Sequence, residues 1–370
     1  LFDTVDVTTT LNVLNNSFVG RTTAGDLSGR GIGGVIDGGG LNMFVGNFST
    51  DNANLFQDNV DAHIGLTLRG DSINHIEIDN SLFDGAVDDA STTEFLGEGV
   101  ALRLRDTAKL TGFVRRSMFS GNVGDGLRLD VAGNNPDGNR GTDTAQINNF
   151  VIGGPAPGDG NVFEGNGDDG LAVIRTERGQ FNNLLIENNL FDSNTNSGIF
   201  ITSQGVNQAN LANAMPDTVT IDNNTIVDNG NHGVHFELGA DADLLADMDL
   251  NLIDGNAVNG IFVSELVNDA EDSRSITGTW TRNEITNNGN DGIALNGRFG
   301  NSLNDAIPGA GLVIGDPTVN AIGDLSSMGN LISLNGGDGV QVISGGTVTI
   351  GNNVITRNGT VDGAGQLINA

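Results

Sequence analysis

The stretch Asn189-Leu190-Phe191-Asp192-Ser193-Asn194 is one copy of the unit from which this chain is built: Asn, any residue, Phe or Ile, two residues, Asn. The central apolar residue, here termed the anchor, recurs at Phe18, Phe56, Phe83, Phe119, Phe163, Phe191, Ile226, Ile253, Ile285, Ile332 and Ile355. Two residues before it stands an Asn, replaced only by Ser81 and Ser117. Three residues after it an Asn recurs in every unit except those of Phe18 and Phe83. A glycine then opens a short strand pattern, Gly-Φ-x-Φ, as in Gly65-Leu66-Thr67-Leu68, Gly126-Leu127-Arg128-Leu129, Gly198-Ile199-Phe200-Ile201 and Gly292-Ile293-Ala294-Leu295. By subtraction, anchors lie 23 to 47 residues apart, about 34 on average, which is a solenoid period.

One such unit is too short to bury an apolar face alone, so neighbours must stack. If each unit is one turn of a coil, equivalent residues lie about 4.8 Å apart. Phe on Phe and Ile on Ile then form an apolar column, and Asn on Asn forms amide ladders. Asn also tolerates the left-handed backbone of a tight turn, so both Asn columns are expected at bends. Helical repeats would show Leu and Ala at i, i+3, i+4, which this sequence does not. The expectation is an all-β coil of about eleven turns forming one elongated domain over 1–370.

Composition narrows the function. Glycine supplies 56 residues and proline six, which fits tight turns between strands rather than a disordered linker. The formal charge is −31, with Lys109 the only lysine, and this argues against nucleic acid or an anionic membrane as partner. Cysteine is absent, so disulfides and thiolate metal sites are excluded. No apolar run reaches membrane-spanning length, so no membrane insertion is expected. Residue 1 is Leu and no signal peptide precedes it, so the chain reads as a piece of a longer product.

Longer excursions follow the Φ-x-Φ strands at 130–144, 202–217, 237–247, 264–275 and 296–309 and are expected to leave one corner of the coil. Segment 207–215 has the composition of a short helix. A second insertion type precedes the anchor at Ile152-Gly153-Gly154-Pro155 and Ile314-Gly315-Asp316-Pro317. Leu1-Phe2 opens without a cap and Gly365-Gln366-Leu367-Ile368-Asn369-Ala370 closes part-way into another turn. Exposed strand edges template more strands, so flanking repeats or head-to-tail self-association into a filament are expected.

The Asn-x-Φ-x-x-Asn and Gly-Φ-x-Φ elements, as in Asn224-Thr225-Ile226-Val227-Asp228-Asn229 with Gly233-Val234-His235-Phe236, resemble the right-handed parallel β-helix of the pectate-lyase-like superfamily. The likeness is nearest to the non-catalytic repeats of large bacterial surface proteins. That superfamily also holds polysaccharide lyases and polygalacturonase-type hydrolases, and fold alone does not choose among them.

Three sets of residues carry candidate chemistry. Gly167-Asp168-Asp169-Gly170 and Asn231-His232-Gly233 resemble parts of the polygalacturonase signature, and a hydrolase needs paired carboxylates. Asp169 and His232, however, stand at one repeat position with Asp125, Ser197, Asn259, Asp291 and Asp338, so the repeat accounts for both. Lyases of this fold pair calcium-binding carboxylates with an Arg or Lys base. Four residues before the anchor run Asp159, Glu187, Asp222 and Asp249, whose stacked charges call for Ca2+ or raised pKa values. The competing explanation is a solvated acidic face. Arg175, Arg178 and Arg282 are the nearest bases. Finally, the middle residue of each Φ-x-Φ points outward, giving Thr67, Ala101, Arg128, Ala172, Phe200, His235, Phe262, Ala294 and Gln341. Phe200, His235 and Phe262 on consecutive coils make a ring platform for a sugar chain or a protein, unless the neighbouring excursions bury it.

The reading is a non-catalytic extracellular or cell-surface β-helix with a structural or adhesive role. The alternative is a secreted polysaccharide lyase or glycoside hydrolase, whose residues would be Asp168, Asp169, Arg175, His232 and His235. An enzyme should break the repeat at one titratable cluster, whereas the odd residues Arg115, Arg116, His232 and His235 are scattered.

Overall fold

A computed structural model describes residues 2–5, 7–20, 29–46, 53–88, 95–133, 144–204, 216–239, 242–266, 274–297, 311–315, 329–343 and 348–359. The expected helix at 207–215, the terminal segment 365–370 and most of the excursions 130–144, 202–217, 264–275 and 296–309 lie outside these residues, whereas the expected excursion 237–247 belongs mostly to the strands Val234–Leu238 and Asp243–Asp249. Every regular element described is a β-strand, and every strand pairing is parallel. The chain is a right-handed parallel β-helix, the hand that parallel crossovers take. It divides into two compact units, Leu1–Leu190 and Phe191–Ala370.

Each coil contributes one strand to each of three sheets. In the first unit one coil runs Glu98–Arg105, Lys109–Arg115 and Met118–Ser120. In the second unit one coil runs Val234–Leu238, Asp243–Asp249 and Leu252–Asp254. The other four excursions leave the corner between first and second sheets, as after Leu127–Ala132, Ile199–Ser203 and Ile261–Glu265.

The anchor is the centre of each third-sheet strand and points inward. In the first unit Phe18, Phe56, Phe83, Phe119 and Phe163 face one another in register and stack with ring centroids 4.6, 4.9, 4.9 and 4.7 Å apart. Burial of Phe56, Phe83, Phe119 and Phe163, each 0% exposed, contributes about 2–3 kcal/mol per ring, and stacking adds about 0.5–1.5 kcal/mol. In the second unit Ile226, Ile253, Ile285, Ile332 and Ile355 hold the same place.

Both Asn columns are hydrogen-bonded ladders inside the corners. Along Asn224, Asn251, Asn283 and Asn330 each Nδ2 donates to the next Oδ1 at 3.1, 2.8 and 3.0 Å. Asn229, Asn256, Asn288, Asn335 and Asn358 repeat this at 2.9 Å per step. Each Oδ1 also accepts the backbone N–H of the preceding Asn, and the second Nδ2 hydrogen goes to a carbonyl, as from Asn251 to Ile221 O. One amide thus satisfies both its donors and both its lone pairs. Ser81 and Ser117 continue the first-unit ladder with hydroxyl acceptors.

The sharp bends lie one residue earlier than expected. Positive φ falls on the residue before most laddered Asn, as at Asn188, Asn223, Asp228, Leu250, Arg282, Asn287 and Leu334, and not on the ladder itself. The laddered Asn is left free to point its amide inward.

The register corrects one coil. Leu66 pairs with Leu102 and Gly65 with Ala101, so the aligned motif is His63-Ile64-Gly65-Leu66 and Thr67 faces Arg103. A histidine therefore stands where the other coils have the motif glycine.

Candidate functional site

In the second unit the first sheet carries Phe200, His235 and Phe262 in register on its outward side, followed by Ala294 and Gln341. Strand alternation fixes this, because Ile199, Ile201, Val234, Phe236, Ile261 and Val263 turn inward. The Phe200 and His235 rings are 5.1 Å apart and His235 and Phe262 5.0 Å apart, all half-buried. His235 Nε2 hydrogen-bonds Ser264 Oγ at 2.7 Å. Burial, and then the neighbouring His232, push His235 down to about 3, so its imidazole is neutral near pH 7. Two residues along, Glu237 shares this outward face with Thr202 and Ser264. Burial alone raises its carboxyl above the usual range. Sequence reasoning missed Glu237, although its strand parity is that of His235.

His232 lies beside the platform, with its ring 5.1 Å from His235 and 4.5 Å from Phe262. Its role is visible in its column: Asn259 N donates to His232 Nδ1, Asp291 N to Asn259 Oδ1, and Asp338 N to Asp291 Oδ1. These side chains form a third ladder, which explains why His, Asn and Asp interchange there. Burial holds His232 down to about 4.

In the first unit the same column holds Asp125 and Asp169, with Asp169 N donating to Asp125 Oδ1 at 3.1 Å. Ligand oxygens of Asp125, Asp168 and Asp169 lie within 4.8 Å of one another. Arg128 Nη1 meets Asp125 Oδ2 at 3.1 Å, and its Nε lies 4.0 Å from Glu98 Oε1. Glu98 is 1% exposed, and this oxygen has no hydrogen-bond partner among the described residues. Phe95 covers Ala101 on this face, with the guanidiniums of Arg30 and Arg103 over its ring at 4.1 and 4.3 Å. Arg103 and Arg105 pair with Asp130. None of Phe95, Glu98, Arg103 or Asp130 was singled out from the sequence; the outward alternation of Arg103, Arg105, Arg128 and Asp130 was the available signal.

Burial pushes the Asp125 carboxyl up to about 7, with Arg128 opposing and Asp168 reinforcing. A raised folded pKa means stability that is full below the unfolded value of 3.8 and lost as pH rises through 7. Asp125→Asn keeps the acceptor for Asp169 N–H and removes the buried charge. It should therefore be more stable than wild type by about 1–3 kcal/mol at pH 8 and no more stable at pH 4. Denaturant midpoints at the two pH values test this, and an equal difference at both would refute it.

Of the acidic column, Asp222 and Asp249 face each other in register. Burial raises Asp222, then Asp249 does, and Arg282 opposes both. Arg282 Nε donates to Asp249 Oδ1 at 2.8 Å and its Nη2 to Oδ2, while Thr281 Oγ1 adds a third bond. Asp79 is clamped in the same way by Arg116, at the same repeat position. Any calcium ion at Asp249 would compete with that guanidinium. Asp159 is out of strand register, because Gly153 and not Asp159 faces Glu187. Its N–H closes a turn on Ala156 O. Arg175 shares the inward parity of Leu171 and Val173, is buried, and donates from Nε to Gly179 O at 2.7 Å. Arg178 lies beyond the end of that strand, in the turn before Gln180.

No protein-family model matches the sequence, and no curated protein matches it. Among solved structures, a mutant of the periplasmic alginate epimerase AlgG is similar at 12% identity and TM-score 0.41, over 90% of this chain and 77% of that one. The A-module of the Azotobacter vinelandii mannuronan C-5 epimerase is similar at 13% identity and TM-score 0.37, over 96% and 91%. Likeness at that level assigns no role to any residue here. Among the described residues no helix is long and apolar enough to cross a membrane.

Proposed function

We propose that this chain is an extracellular glycan-binding β-helix, a stiff structural or adhesive element that holds a polysaccharide along the ring platform of its second unit. The observation that carries this is the half-buried column of Phe200, His235 and Phe262, spaced 5.1 and 5.0 Å. Ring faces take the C–H faces of sugars, and flanking polar groups take the hydroxyls. Glu237 and Ser264 supply such groups. A second reading is an enzyme acting on polysaccharide. It is favoured by one feature: Glu237 is shifted up while His235 on the same strand and His232 just before it are shifted down.

A polysaccharide panel separates the two readings. Affinity electrophoresis should show retardation by at least one glycan, with no new reducing ends or unsaturated products. Products that disappear in Glu237→Gln would transfer the case to the enzyme. Neither retardation nor products would overturn both.

A further inference from the structure

We infer that the platform selects an uncharged polysaccharide and rejects polyuronates. The inference rests on the glycan reading and names the substrate class for that site. The outward positions of the sheet are Phe200 and Thr202, His235 and Glu237, Phe262 and Ser264, Ala294 and Asn296. Not one is Lys or Arg, so no guanidinium or ammonium on this described face can pair with a sugar carboxylate. The one formal charge there is the acid Glu237.

The nearby cations among the described residues are committed elsewhere. Arg274 is 3% exposed and pairs with Glu265, and Arg282 is held by Asp249. Sequence extends the pattern. Segments 205–215, 240–241 and 267–273, which follow the three platform strands, contain Asp241, Asp269, Glu271 and Asp272 and no base, while segment 298–310, after the fourth strand, contains Arg298 and Asp305. Over the whole chain the formal charge is −31. A polyuronate would therefore bring a carboxylate on every residue against a like-signed surface with no cationic partner for it among the described residues, a mismatch that costs binding. A neutral glycan meets no such cost. Its C–H faces match the rings, and its hydroxyls match Ser264, Asn296 and the Glu237 carboxyl, whether that group donates or accepts. The half-buried, neutral His235 serves here as a ring and not as a cation.

Affinity electrophoresis with hydroxyethylcellulose, galactomannan, alginate and polygalacturonate, at low and physiological salt, tests this. The full chain should bind at least one neutral polymer with a dissociation constant insensitive to salt, and neither polyuronate. Phe262→Leu should weaken neutral binding about tenfold; Phe200→Leu is the second ring variant should the first melt early. Glu237→Lys should gain polyuronate binding that fades with salt. Wild-type binding to alginate or polygalacturonate as tight as to neutral polymers overturns the selectivity and leaves the glycan reading intact. Neutral binding untouched in both folded ring variants overturns the platform. Binding to no polymer overturns the glycan reading itself.

Discussion

Replacing Asn256 by alanine should lower the unfolding free energy by about 3–5 kcal/mol. Asn256 is fully buried and its amide makes four bonds. Nδ2 donates to Asn288 Oδ1 at 2.9 Å and to Ile226 O at 3.2 Å, while Oδ1 accepts from Asn229 Nδ2 at 2.9 Å and Asn229 N at 3.2 Å. Alanine keeps the 256 backbone N–H on Asn288 Oδ1 and removes the rest. It therefore strands a carbonyl, a backbone N–H and an amide hydrogen in a corner without water. Each stranded group costs about 1–3 kcal/mol, less than additively because they share one ladder. The control is Asn182, whose Nδ2 donates to Asn148 Oδ1 at 2.8 Å on a half-exposed surface, where water replaces the lost partner. Asn182→Ala should cost under about 1 kcal/mol. Urea midpoints at unchanged slope measure both. Equal losses in the two variants would mean that the ladders contribute composition rather than stability.

The same ladders explain why the architecture could be read from one sequence. Stacking like on like imposes the repeat directly, so Phe119 and Phe163, or Asn256 and Asn288, had to recur at equivalent places. Coil two was misaligned for an equally physical reason. A strand has period two, so sliding by two residues keeps every side chain on its face. Gly65-Leu66-Thr67-Leu68 and His63-Ile64-Gly65-Leu66 both put their apolar residues inward, and only the pairing of Leu66 with Leu102 decides.

The site was legible where strand parity governs it and hidden where coils meet. Phe200, His235 and Phe262 follow from alternation alone, and Glu237 lay two residues beyond on the same rule. The clamps of Arg116 on Asp79 and Arg282 on Asp249 were not legible. They depend on the left-handed backbone of Arg116 and Arg282, each just before a ladder residue, which places each side chain toward the acid of the preceding coil. The first-unit cluster depends on Phe95 and Glu98, which stand near a long insertion that the repeat does not index.

His63→Gly and Ala86→Asn should each destabilise the chain, and together should restore it. In the regular coils the motif glycine lies against the next coil's anchor ring and ladder amide. A Cβ on Gly126 would sit 2.9 Å from Phe163 Cδ1 and 3.0 Å from Asn166 Nδ2. Coil two breaks both halves of that contact at once: His63 replaces the glycine, and Ala86 replaces the ladder Asn after Phe83. Ala86 N still donates to Asn122 Oδ1 at 3.0 Å, so its backbone is already in ladder position. The His63 ring packs between Phe56 and Phe83, with centroids 6.3 and 6.2 Å away, and its Nδ1 lies 2.8 Å from Asn59 Nδ2. The imidazole thus supplies the acceptor that the missing amide would have provided. His63→Gly leaves a cavity and an unmet Asn59 hydrogen, a loss of about 2–4 kcal/mol. Ala86→Asn drives an amide into the imidazole, costing about 1–3 kcal/mol. The double variant should recover at least about 2 kcal/mol relative to the sum of the singles. It should also change the acid response. Burial holds His63 down to about 4 from 6.5, against weaker contributions from Asn122 and Asp84. Its stabilisation is therefore present above pH 6.5 and lost as pH falls through 4, amounting to about 2–3 kcal/mol. The double variant lacks this loss, and the other histidines cancel in the comparison. Unfolding curves of all four proteins between pH 7 and 4 decide the matter: strictly additive single effects with parallel pH profiles would show that His63 and Ala86 are unrelated substitutions.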